Sequence, residues 1–275
     1  MIKPGEIDKI AIKEGVRATQ IQKDYAISWI LWGISQNEFL KENLVFKGGT
    51  CLKKFYFNNY RFSEDMDFTL ANDGVDNDKV MKNFDSLLKE VFNASRIKLE
   101  IEGNSFETHE SSGSIKFKIE FKGPYGSDAI KADITRGEII LFDVKERTIF
   151  NIYSDLEQEN EISINTYSLK EVLIEKITAL MGRTISRDLY DFNYLTEDEG
   201  MELADVYIEF MIKAENKGHN PKEFIDKVKP KEAIFKRDWE ESLIKQMKKG
   251  SLPDFNEVWR KANRKFRKLI ELLEN

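Results

Sequence analysis

The chain has 275 residues, 41% of them hydrophobic, with 43 basic and 49 acidic side chains and a formal net charge of −6. That length fills one large domain or two smaller ones, and the charge excludes nucleic-acid binding by a bulk positive field while leaving room for a local basic groove. The single cysteine, Cys51, excludes an internal disulfide framework and fits a reducing compartment.

The first ten residues lack the charged-then-apolar order of a signal peptide. The most apolar stretch, YAISWILWGI, is too short to span a bilayer. A cytoplasmic α/β or α+β protein with no membrane partner is expected.

Residues 17–36 read as a helix that is apolar on most sides, through Ile21, Tyr25, Trp29, Ile30 and Trp32, which predicts a buried helix. A short strand over 44–46 leads into Gly48-Gly49, which open a helix through Leu52, Phe55 and Tyr56. From Phe62 to Leu70 the period becomes two. Met66, Phe68 and Leu70 take one face, and Asp65, Asp67 and Thr69 the other. Residues 76–92 return to helical spacing with Val80, Phe84, Leu87, Leu88 and Val91.

Alternating strands follow over 97–102, 114–121 and 129–135, with a turn at Gly123-Pro124-Tyr125-Gly126 between the last two. Their charged face predicts a sheet with helices on one side and a partly open second side. After about residue 165 the chain becomes helical, with a stripe of Leu169, Val172, Leu173, Ile177, Leu180 and Met181, then 201–214, then a last helix through Phe255, Trp259, Phe266 and Leu273. The expected organisation is a mixed strand-and-helix lobe over 1–165 and an all-helical lobe over 166–275.

On a strand, Asp65 and Asp67 project together, and two such anions repel unless a cation lies between them. A hard divalent ion such as Mg²⁺ resolves the conflict. In the strand over 129–135, Ile130 and Ile134 belong to the core, so Lys131, Asp133 and Thr135 take the opposite face. Three aspartates on neighbouring strands suit a pair of metal ions clamping a phosphoryl group. Gly48 and Gly49 allow close backbone approach to a ligand, the following helix start favours phosphate, and Thr50 adds a hydroxyl. Taken singly, the acidic pair is a solvated face and the glycine pair a turn. Their order along one chain points instead to a metal-assisted phosphoryl site.

That order, Gly-Gly-Thr, then Asp-x-Asp, then a strand aspartate, resembles the DNA polymerase β-type nucleotidyltransferases, with a spacer of 15 residues between Gly49 and Asp65 that is longer than their usual pattern. KDYAISWIL (23–31), FKGGTCLKKFY (46–56), RFSEDMDF (61–68), EKITALMGR (175–183) and SRDLYDF (186–192) resemble the AbiEii/AbiGii-type nucleotidyltransferase toxins of type IV toxin–antitoxin and abortive-infection systems. The resemblance implies an α+β fold, a polymerase β-like mixed-sheet lobe followed by an all-helical C-terminal lobe. It implies metal binding by Asp65 and Asp67, and a triphosphate near Gly48, Gly49, Thr50 and Ser63. It also implies nucleotide support by Lys176, and completion of the site by Asp188 or its neighbour Asp191. A nucleoside triphosphate, Mg²⁺, a tRNA acceptor end and a cognate antitoxin are the implied substrate, cofactor and partners.

If one helix runs on from 169, Lys176, Arg183 and Arg187 fall on nearly one line, a basic stripe suited to a polyphosphate, whereas a helix end at Gly182 would weaken that line. The plainer alternative has Lys176 at the rim of a core stripe. His109 and His219 lie in polar stretches with no partner at ligand spacing, and Cys51 is expected to pack. The run over 260–268 is the most basic segment, a solvated helix face or an RNA contact. The leading function is transfer of a nucleoside monophosphate from a nucleoside triphosphate to an acceptor hydroxyl, with Asp133 accepting the proton. The alternatives are a protein or small-molecule acceptor, and an inactive homologue that binds an antitoxin.

Overall fold

In the computed structural model, which describes residues 1–159 and 161–274, the chain forms two compact units. One comprises Met1–Glu138 and Val144–Tyr167, the other Ile139–Asp143 and the chain from Ser168 onward.

The first unit opens with α1 (Pro4–Glu14), α2 (Ala18–Gln36) and α3 (Glu38–Asn43). Proline at the start of α1 lacks the N–H that a first helical position leaves unused. As its all-round apolar pattern predicts, α2 is buried from Gln20 to Ile34, save Lys23. Strand β1 (Leu44–Lys47) runs directly into α4 (Gly48–Cys51), which continues as a single wider π turn, Leu52–Tyr56. Then come β2 (Asp65–Leu70), α5 (Asn77–Ser95), β3 (Leu99–Ile101), β4 (Glu107–Thr108), β5 (Ile115–Gly123), β6 (Gly126–Thr135), β7 (Lys145–Thr148) and β8 (Ser163–Thr166).

The strands make one mixed sheet in the order β3-β5-β6-β2-β1-β8-β7, with β4 on β5. Strand β2 is parallel to β6 and antiparallel to β1. The alternation read from the sequence sets the faces: in β5, Ile115, Phe117, Ile119 and Phe121 are buried while Lys116, Lys118, Glu120 and Lys122 are exposed. Helices α2 and α5 pack on each other, and their apolar side chains join those of the sheet in one core. The β5–β6 turn is pinned by Gln22 of α2, whose Oε1 accepts from Tyr125 N at 2.8 Å and whose Nε2 donates to Gly126 O at 3.1 Å.

The second unit contains α6 (Leu169–Gly182), α7 (Ser186–Asn193), α8 (Tyr207–Asn216), α9 (Phe224–Val228), α10 (Glu232–Leu243) and α11 (Phe255–Glu274). Ser168 caps α6, its Oγ accepting from Glu171 N at 3.2 Å. Aromatic contacts fill the centre, among them Phe192 on Phe266 and Phe224 on Phe266. A fully buried ion pair binds the short segment Ile139–Asp143 to these helices. Lys213 Nζ lies 2.7 Å from Glu171 Oε1 and donates to Ile139 O at 2.8 Å, while Glu171 Oε2 accepts from Leu141 N and Phe142 N at 2.8 and 2.9 Å. No described helix is long and apolar enough to cross a membrane.

Candidate active site

Register brings the sequence candidates of the first unit together. Asp67 of β2 is paired with Asp133 of β6, and Asp65 lies two residues away on the same face. Asp67 is also opposite Lys47 of β1, and Asp133 opposite Lys116 of β5. A single row therefore crosses four strands as Lys116, Asp133, Asp67, Lys47. All three aspartates are partly exposed, whereas Met66, Phe68, Ala132 and Ile134 between them are buried.

The glycine pair lies against this row. Gly48 has φ +78°, a conformation that L side chains rarely adopt, and a Cβ built there would come 2.6 Å from Asp67 Oδ2. A Cβ on Gly49 would meet Arg61 Nη2 at 2.6 Å and Ser63 Oγ at 3.3 Å. Ser63 thus borders the turn, and so does Arg61, a buried guanidinium that sequence reasoning left out although it sits in the same RFSED block. Thr50 is buried, and its hydroxyl donates to the backbone oxygen of Asp65, which ties the glycine turn to the acidic strand. The turn is anchored from behind by a second buried cluster. Lys54 pairs with Asp24 of α2 and donates to Ser28 Oγ at 2.8 Å, and Tyr153 Oη donates to Asp24 Oδ2 at 2.5 Å. Burial pushes the Lys54 ammonium below its ordinary value against the pull of Asp24, and raises the Tyr153 hydroxyl.

The carboxylate donor set suits a hard divalent cation. Among the described residues no group of three or more His, Cys, Asp or Glu side chains is gathered as a metal centre would be. Asp133 instead faces Lys116, Nζ to Oδ2 3.0 Å, in a pair whose lysine side chain is 60% exposed. An exposed pair of this kind contributes at most about 1 kcal/mol, so exchanging Lys116 for a divalent ion is cheap. The residues fit the metal in chemistry and in facing.

In the second unit, Lys176 Nζ lies 2.8 Å from both Asp188 Oδ1 and Asp191 Oδ2, all three side chains being buried. Arg183 adds two contacts to Asp188, Nε to Oδ2 at 2.8 Å and Nη2 to Oδ1 at 3.2 Å. Burial works to raise the Asp188 carboxyl, but the charges of Lys176 and Arg183 outweigh it and hold the group below the usual carboxylate range. The expected helical line through Lys176, Arg183 and Arg187 is not formed. Helix α6 ends at Gly182, Arg183 is extended (φ −138°, ψ 170°), and Arg187 lies in α7. The break is held by Lys231, whose Nζ donates to the carbonyls of Leu180, Met181 and Arg183 at 2.7, 2.9 and 3.1 Å. In the basic run of α11, Arg264 and Lys265 share Glu197, and Lys268 pairs with Glu202. These pairs favour the solvated-face alternative over an RNA contact.

A mixed sheet carrying an acidic row beside a glycine turn, with a helical C-terminal part, is the build of a nucleotidyltransferase. The chain matches the family described as nucleotidyl transferase AbiEii toxin, type IV TA system, over residues 29–261. It belongs to that family and is a nucleotidyltransferase of the toxin type. No curated protein matches it. Among solved structures, the MenT4 nucleotidyltransferase toxin from Mycobacterium tuberculosis H37Rv aligns with a TM-score of 0.58 at 17% identity, covering 78% of this chain and 70% of that one. JHP933 from Helicobacter pylori aligns with a TM-score of 0.57 at 14% identity, covering 94% and 95%. At such identities the likeness is one of fold. The family supplies a nucleoside triphosphate as substrate and an antitoxin as partner.

Proposed function

We propose that this toxin transfers a nucleoside monophosphate from a nucleoside triphosphate to the 3′ hydroxyl of tRNA with the help of Mg²⁺. The observation that carries the reading is the row in which Asp67 and Asp133 stand side by side, with Asp65 two residues along, against a glycine turn that a side chain at Gly48 would close.

Asp65, Asp67 and Asp133 would hold the metal, which when bound lends positive charge to the phosphoryl oxygens and to the attacking oxygen. Gly48, Gly49, Thr50 and Ser63 would lie along the triphosphate, with Arg61 as a further cation at the same turn. Asp133 would accept the proton of the acceptor hydroxyl as its oxygen bonds to the α-phosphorus and pyrophosphate leaves. Its lysine partner Lys116 is exposed and displaceable, whereas the lysine opposite Asp67 is the buried Lys47.

A role for Lys176 and for Asp188 or Asp191 in nucleotide handling rests on the family resemblance alone, and one for Arg183 and Arg187 rested on a helical line that is not formed. The choice of tRNA rests on the family resemblance, and it does not draw on the α11 run, where four cations, Lys261, Arg264, Lys265 and Lys268, already have carboxylate partners. The test is incubation with tRNA, Mg²⁺ and each labelled nucleoside triphosphate in turn. Label on the tRNA supports the proposal, and label confined to a protein or small molecule of a cell extract refutes it.

A further inference from the structure

The two ends of the four-residue row are built differently. At the β5 end the lysine is Lys116, in solvent. At the β1 end it is Lys47, whose side chain is 8% exposed. Lys47 is the cross-strand neighbour of Asp67, and opposite charges set side by side on a sheet attract. A buried ammonium beside a carboxylate that must receive a divalent ion is a competitor for that carboxylate. The structure supplies Lys47 with a second carboxylate, Glu138, only 1% exposed in its side chain and ion-paired to the same ammonium. Glu138 is held there by Thr69, whose Oγ1 donates to its Oε2 at 3.2 Å. Thr69 is bonded in turn to Tyr167 Oη at 2.6 Å. The Lys47 ammonium also lies 5.6 Å above the Tyr167 ring. Burying a glutamate at this spot is costly unless it is paired, and the core face of the sheet does not need it, because Phe46 and Phe68 already fill that side.

We infer that Glu138 is a positioning residue for the acidic row: it takes up the charge of Lys47 and so leaves Asp67 able to bind a divalent cation. This rests on the metal-binding reading of Asp67 given above and adds to it the device that keeps a buried lysine from filling the cation's place. Lys116 needs no such device, because solvent screens it.

The test is titration with Mn²⁺ alone, followed by electron paramagnetic resonance of the free ion, on four folded proteins: wild type, Glu138→Gln, Lys47→Met/Glu138→Gln, and Asp67→Asn. An opposite charge in reach shifts a carboxylate's proton affinity by about 1–3 units, so handing Lys47 wholly to Asp67 should weaken Mn²⁺ binding by about tenfold in Glu138→Gln. The double variant removes the competitor and its counter-ion together and should return to within about threefold of wild type. That rescue separates positioning from support of the fold, since the double variant loses both halves of the buried pair. Equal binding by wild type and Glu138→Gln, or a double variant as weak as the single one, would overturn the inference while the metal reading stands. Asp67→Asn binding as well as wild type would overturn the metal reading, and the inference with it.

Discussion

Replacing Lys176 by Met keeps the length of the stem and removes the charge that two buried carboxylates share. Asp188 and Asp191 are 2% and 0% exposed in their side chains, and each lies 2.8 Å from Nζ. Among the described residues, Arg183, itself 58% exposed, would remain as the charged partner of Asp188. Removing one member of a buried pair costs about 3–5 kcal/mol because the remaining charge is left without compensation. At roughly 2–4 °C per kcal/mol, the melting temperature should fall by on the order of 10 °C.

The pH dependence has a definite sign. Asp188 is depressed in the folded protein, so its contribution is complete above the unfolded carboxylate value of about 4 and is lost as pH falls through the lower folded value. The gap between wild type and variant should therefore narrow as the pH drops below about 4. Calorimetric melts of wild type, Lys176→Met and Lys176→Met/Asp191→Asn across pH measure this, with the double variant recovering part of the loss. A single variant melting within 2 °C of wild type at neutral pH would refute the reasoning.

Three further outcomes are expected. Gly48→Ala, strained at φ +78° and directed at Asp67, should cost about 1–2 kcal/mol and lower kcat more than it changes stability, as paired melts and initial rates would show. Asp133→Asn should abolish turnover while nucleotide affinity by calorimetry stays within a few-fold; lost binding with normal turnover per bound nucleotide would refute its role. Lys54→Met leaves Asp24 buried without its cation and should cost about 3–5 kcal/mol in denaturant unfolding, with most of the loss recovered in Asp24→Asn/Lys54→Met.

The sheet was legible wherever one face is buried, because the period of two then fixes which residues share a side. Asp65, Asp67 and Asp133 were assigned a common facing from Met66, Phe68, Ile130 and Ile134, and the strands carry them so. Strands β7 and β8 left no such mark: KERT is exposed throughout, and SINT is too short to show a period. The end of α6 was legible in Gly182, where the helix stops. The contact that satisfies its last carbonyls was not, because Lys231 lies about fifty residues downstream and no local signal encodes a cap from that distance. Lys47 stood in view beside Gly48, but its counter-ion Glu138 follows the end of β6, where no periodicity indicates its direction. Long-range ion pairs between buried side chains are set by tertiary packing, and a single sequence does not display them.

The most direct test of nucleotidyl transfer at the acidic row compares wild type with Asp67→Asn, using tRNA, Mg²⁺ and each labelled nucleoside triphosphate, before and after periodate oxidation of the tRNA 3′ terminus. The expected result is label on intact tRNA with wild type, none on oxidised tRNA, and none with Asp67→Asn although that protein remains folded. Labelling by Asp67→Asn at the wild-type rate, or tRNA left unlabelled by all four nucleotides while another acceptor is modified, would contradict it.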